Sequence, residues 1–121
     1  MNLKIRSWTL IALVALLTST MAAPIRADDA DPQWNYNRFC TKCHGMSGKG
    51  NGPASATLET RPRDFGECAR MAKLSDDRLF KSIKFGGKAA QMSGDMPSWH
   101  DGFEDSEIKD LVTYVRTFCK Q

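Results

Sequence analysis

The sequence predicts a small all-α domain with three main helices. Segments 75–86 and 105–119 place apolar residues at helical spacing between cap signals. With 121 residues the chain is sized for one domain. Such a domain buries only a limited apolar core unaided. The third observation is the run Cys40-Thr41-Lys42-Cys43-His44. Cys-x-x-Cys-His is the attachment signature of a c-type haem: each thiol bonds one vinyl-derived carbon, and the adjacent imidazole can ligate the iron. A covalently held macrocycle would also supply much of the missing core. The competing readings are weaker. A thioredoxin-like redox pair wants a βαβ setting, and a structural zinc site wants a second ligand pair, whereas Cys68 and Cys119 stand far apart in sequence.

The elements follow in order. Lys4 and Arg6 precede the apolar stretch Trp8–Leu17, and small and polar residues follow up to Ala27. This is the layout of a secretory signal peptide, expected to span 1–27 and to be cleaved. The apolar stretch is well short of the ~20 residues that span a bilayer, so no membrane anchor is expected. The domain then occupies 28–121, exported to the periplasm. Lys4, Arg6 and Arg26 lie in the leader, while all 14 acidic residues lie beyond Ala27. The mature formal charge is therefore zero, and a nucleic-acid partner is not indicated. Lys73, Arg78, Lys81, Lys84 and Lys88 fall close together, as a solvated face or as a docking surface for an acidic redox partner.

Asp31-Pro32 suits a helix start, with Asp as cap and Pro at the first position. Trp34, Tyr36 and Phe39 then lead into Cys40 at packing intervals. Four glycines between Gly45 and Gly52, followed by Pro53, make a tight loop whose backbone can pass close to a flat ligand. No strand precedes it and no Gly-Lys-Ser/Thr ends it, which argues against a phosphate loop. A carbonyl of this loop could accept the other imidazole N–H of His44. Residues 54–66 read as irregular, with a weak signal for a short helix within Ala54–Glu59. Arg61 and Arg63 are candidates for a haem propionate, or for ordinary exposure.

Ser75 caps the next helix, with Asp76 and Asp77 in its first turn and Leu74/Leu79 as a hydrophobic staple. Leu79, Phe80 and Ile83 form its apolar stripe, and Gly86 stops it. Residues 88–103 have little regular pattern. There Met96 precedes Pro97 in a loop, a setting poorly explained by the usual role of methionine as core filler. A thioether can fill the sixth position of a haem iron, so Met96 is the candidate second axial ligand, with Met92 and His100 as rivals. Met46 and Met71 read as surface or packing residues. The last helix runs from about Asp105 to Cys119, its apolar face carried by Ile108, Leu111, Val112, Val115 and Phe118. Cys68 and Cys119 would meet an oxidising compartment, so a disulfide is expected, with two unpaired thiols as the alternative. Closing that loop would contribute at most ~4 kcal/mol.

Taken together, Cys40-x-x-Cys43-His44, a Gly-rich loop ending Gly52-Pro53, Met96-Pro97 and a C-terminal Leu111-Val112-x-Tyr114-Val115-Arg116 helix resemble a class I monohaem cytochrome c of the bacterial periplasmic type. The resemblance covers the whole mature chain. It implies thioethers at Cys40 and Cys43, axial ligands His44 and Met96, and the Pro53 carbonyl as acceptor for His44. It also implies Tyr36 and Tyr114 at the crossing of the first and last helices. Similar members carry a cysteine after an Asp-Phe pair and another ending the last helix, matched here by Asp64-Phe65…Cys68 and Cys119, which supports the disulfide. One departure is Pro32 where many members have glycine, implying a later start for the first helix.

The expected protein is a monomeric, soluble electron carrier, not an enzyme: one haem c cycling between Fe(III) and Fe(II), and redox proteins as donor and acceptor. The alternatives are a dedicated cytochrome subunit of a periplasmic oxidoreductase, or a haem enzyme or ligand sensor with an open sixth site.

Overall fold

A computed structural model describes residues 31–120. The expected signal peptide lies outside the described residues. Among those residues no helix is long and apolar enough to cross a membrane.

Among the described residues every regular element is helical. Helix α1 (Pro32–Asn35) runs through a π-helical turn (Tyr36–Cys40) into α2 (Thr41–His44). A short 3-10 turn (Ser55–Thr57) and α3 (Cys68–Met71) precede α4 (Asp76–Phe85). A second 3-10 turn (Lys88–Ala90) leads to α5 (Asp105–Thr117), which tightens into a final turn, Phe118–Lys120. Helix α5 packs against both α1 and α4. The three main helices of the sequence are thus the α1–α2 unit, α4 and α5.

The first helix does not start late. Asp31 caps it by accepting from the Gln33 N–H at 2.9 Å, and Pro32 is its first residue. The crossing with α5 is made by aromatic packing instead of glycine contact: Tyr36 lies 5.3 Å from Tyr114 and 5.2 Å from Phe118, ring centre to ring centre. Helix α4 follows its local signals. The Ser75 hydroxyl accepts from the Arg78 N–H at 3.2 Å, Leu74 and Leu79 are buried, and Gly86 ends the helix at φ +84°. At α5, Glu104 and Glu107 form a reciprocal capping box, and Ile108, Leu111, Val112 and Val115 face the core. The guanidinium of Arg116 ties α5 to the start of α4. It donates to the Met71 carbonyl at 2.6 Å, to the Leu74 carbonyl, and to the Asp76 carboxylate at 2.7 Å.

The basic surface is smaller than the sequence implies. Lys81 pairs with Asp77 at 2.8 Å and Lys84 with Asp105 at 2.6 Å, which leaves Lys73, Arg78 and Lys88 of the five.

Candidate haem-binding site

The π-helical turn sets the haem motif. The Thr41 hydroxyl bonds back to the Asn37 carbonyl at 2.7 Å, while the Thr41 N–H reaches one residue further, to Tyr36. Such a widened turn is rare in helices and occurs frequently at functional sites. Beyond it, α2 ends at His44 and the chain reverses at Gly45, φ +76°. The glycine loop then folds back along α2: the N–H groups of Gly50, Gly52 and Ala54 donate to His44, Cys43 and Lys42, at 2.8, 3.1 and 2.9 Å. A Cβ on Gly52 would sit 2.3 Å from the Thr41 carbonyl oxygen, so only glycine permits this approach.

Cys40, Cys43 and His44 line a cavity of about 870 Å³, near the upper end of what small-molecule and cofactor sites span. Its apolar walls come from all three main helices, through Tyr36, Leu79, Ile83, Leu111 and Val115. Phe65 lies flat against the imidazole of His44, centres 4.6 Å apart and planes 15° from parallel. Burial lowers the His44 pKa, against a smaller upward pull from the Arg63 backbone, which hydrogen-bonds the ring. The imidazole is therefore neutral at neutral pH. Its Nδ1 is buried and has no hydrogen-bond partner.

A neutral imidazole offers an unprotonated nitrogen as a ligand, and His44 lines the cavity beside both thiols. The site fits a haem iron at His44. His44 Nδ1 has no hydrogen-bond partner, so the Pro53 carbonyl does not meet it there; the Arg63 backbone acts on the ring only by raising its pKa. The thiols fit as well. Burial, reinforced by Cys43, pushes the Cys40 thiol up to about 12. A redox-active or metal-binding cysteine needs a depressed pKa, so Cys40 does not suit either of those roles. Among the described residues no three His, Cys, Asp or Glu side chains cluster as a metal site.

Met92 and Met96 both line the cavity. Met92 packs against the hydrophobic core, whereas Met96 belongs to the loop wall. That loop is hung from the end of α4: the Gly87 N–H donates to the Met96 carbonyl at 3.1 Å, Trp99 N–H to Ile83 at 3.1 Å, and His100 N–H to Lys84 at 3.0 Å. His100 is not part of the cavity; its ring is half-exposed against Asp101. Met46 is exposed and Met71 buried.

Residues 27–115 match the family described as cytochrome c oxidase, cbb3-type, subunit III. The chain belongs to this family. It is a monohaem c-type cytochrome, its cofactor covalently bound haem c. The solved structure of the KustC0563 c-type cytochrome is similar, with a TM-score of 0.60 and 28% identity over 73% of this chain and 96% of that one. No curated protein matches.

In this cytochrome Arg61 and Arg63 line the cavity, and the Arg61 Nε donates to the Gly50 carbonyl at 3.3 Å. Cys68 and Cys119 are neighbours. The Cys68 thiol donates to the Cys119 carbonyl at 3.2 Å, and contact with the Cys68 thiol raises the Cys119 pKa. Reading the sequence alone missed Phe65 and Asp95. Phe65 was visible only as part of the pattern before Cys68, with nothing to mark it as the surface against the histidine. Asp95 accepts from the Thr60 N–H and from Ser93, which holds its carboxyl below the usual range. An exposed Asp beside a glycine ordinarily signals only a turn.

Proposed function

We propose that this cytochrome is a soluble periplasmic one-electron carrier, with Cys40 and Cys43 as thioether attachments and His44 and Met96 as the axial pair. One observation carries the reading: a neutral His44 and the loop-borne Met96 line the same cavity as both cysteines. When bound, the haem supplies one-electron Fe(III)/Fe(II) cycling. The chain's own residues hold and shield it. Phe65 and the Arg63 backbone orient His44, Leu79, Ile83, Leu111 and Val115 exclude water, and Arg61 and Arg63 supply positive charge for the propionates. A thioether ligand favours Fe(II) and raises the reduction potential. Met92 is the rival: it lines the cavity too, while its side chain also packs against the core.

The test is the visible spectrum of the oxidised protein and of Met96→Ala. A weak far-red iron–sulfur band in the wild type, lost in the variant with a lowered potential, supports Met96. Unchanged spectra and potential remove Met96 from the ligand role, and absence of the band together with a high-spin spectrum favours an open-site haem enzyme or sensor. Export is checked by N-terminal sequencing of the protein recovered from periplasm. The proximity of Cys68 and Cys119 supports a disulfide in that compartment, and mass spectrometry after alkylation without reductant should find neither thiol free.

The family match favours a second reading, a cytochrome subunit serving one dedicated oxidoreductase such as an oxidase. Gel filtration of a native extract separates the two: a shuttle elutes at its own mass, a subunit with its enzyme.

A further inference from the structure

We infer that the Asp95 carboxylate is the clasp that keeps Met96 in the cavity wall, a positioning residue for the second axial ligand. The inference rests on the Met96 ligation proposed above. The ligand loop has no helix or strand of its own around Met96, and its hydrogen bonds through Gly87, Trp99 and His100 all reach toward the end of α4. On the other side it is held by Asp95. One carboxylate oxygen, Oδ2, accepts from the Thr60 N–H at 3.0 Å and from the Ser93 hydroxyl at 2.9 Å. The Asp95 N–H in turn donates to the Ser93 hydroxyl at 3.1 Å, which closes a small turn and fixes the direction of the carboxylate.

Thr60 and Asp95 both line the cavity. Their bond therefore joins two separate parts of its rim. One is the segment that continues from the glycine loop around His44, and the other is the loop that carries Met96. The side chain next to the ligand thus spans the gap between the two walls that supply the axial residues.

The consequence concerns competition. A thioether is a neutral ligand, and an external base reaches the iron only when the Met96 loop opens. Observed affinity for that base then scales with the fraction of open loop. Losing a charge-assisted hydrogen bond raises that fraction by about tenfold. Asp95→Asn keeps an acceptor oxygen without the charge and should fall between wild type and Asp95→Ala.

Two measurements on the ferric holoprotein test this: amide hydrogen exchange at Thr60, and the dissociation constant of imidazole followed in the visible spectrum. Asp95→Ala should speed Thr60 exchange and tighten imidazole about tenfold, with Asp95→Asn intermediate. Ser93→Ala, which leaves the carboxylate in place but frees its direction, should shift both in the same sense by less. Unchanged Thr60 exchange in Asp95→Ala overturns the clasp. So does unchanged imidazole affinity in Asp95→Ala when Met96→Ala does tighten it, because ligation then stands without the clasp. If Met96→Ala leaves imidazole affinity unchanged, the ligation reading falls and this inference falls with it.

Discussion

Tyr36→Phe tests how tightly the buried tyrosine binds the helix crossing to the haem motif. Tyr36 is 0% exposed, and its hydroxyl donates to the Gly45 carbonyl at 2.8 Å, the residue after the histidine. The Gly45 carbonyl also accepts from the Gly48 N–H at 3.1 Å, so the substitution does not orphan it. The cost at pH 8 is then that of a net hydrogen bond, about 1 kcal/mol, and not the larger penalty of a buried unpaired group. For a domain of this size that lowers Tm by about 4–8 °C. The pH dependence is the sharper part. Burial is the first cause that raises the Tyr36 pKa far above its ordinary value of 10.0, followed by the charges of Cys40 and Tyr114; a thioether at Cys40 would remove only the second. A folded pKa above the unfolded one means that stability is intact below pH ~10 and is lost as the pH rises past it. At pH 11 the unfolded chain gains about 1.4 kcal/mol from ionising this group, and the native state gains almost nothing. Phenylalanine has no such loss. Thermal melts of wild type and variant should therefore converge near pH ~10.6 and cross above it. A constant difference between pH 8 and pH 11 would refute a dry, un-ionised Tyr36.

Arg116→Ala removes three acceptors' shared donor, the carbonyls of Met71 and Leu74 and the Asp76 carboxylate, and should cost about 2–3 kcal/mol. The urea midpoint should fall with an unchanged slope, since the exposed area on unfolding is the same. Gly52→Ala forces a methyl to 2.3 Å from the Thr41 carbonyl oxygen and should lower stability by at least ~2 kcal/mol, with a reduced yield of haem-loaded protein by absorbance per mass. Gly87→Ala keeps an ordinary φ of −62° but places its methyl 1.9 Å from the Ser93 carbonyl oxygen, so its effect is steric. It should weaken the far-red band while leaving the thioether-attached haem in place by mass spectrometry.

The parts that were legible in the sequence are those whose information is local. Ser75, the two aspartates and Gly86 bound α4 within one or two residues, and the apolar spacing of α5 survives unchanged in the core. The haem motif, the tight glycine loop and the loop setting of Met96 were equally visible. What was hidden depends on contacts between distant segments. The basic cluster was overestimated because Lys84 finds Asp105 on another helix, a pairing that spacing along α4 cannot reveal. Pro32 in place of glycine implies a delayed first helix, yet it is an excellent first residue behind Asp31, and Tyr36 supplies the contact with α5 that glycine would otherwise allow. At His44 it is the Arg63 backbone, and not the Pro53 carbonyl, that acts on the ring's pKa, for the same reason. A backbone donor or acceptor carries no residue signature, so only the path of the chain decides which one arrives.

Thr41 shows how these two kinds of information meet inside the attachment motif itself. The motif leaves its two middle positions unspecified, so by chemistry alone Thr41 is a spacer. In the fold its hydroxyl occupies the Asn37 carbonyl, and its N–H is left to bond Tyr36, which opens the π-helical turn immediately before it. That turn ends on Cys40 and begins on Tyr36, the residue whose hydroxyl holds Gly45. Cys40, the helix crossing and the residue after His44 are therefore joined through one threonine and one tyrosine. The precision of the His44 site follows from this short circuit of bonds more than from the apolar walls, because walls exclude water without fixing a direction. In this cytochrome the covalent motif and the hydrogen bonds that aim it are written into the same ten residues.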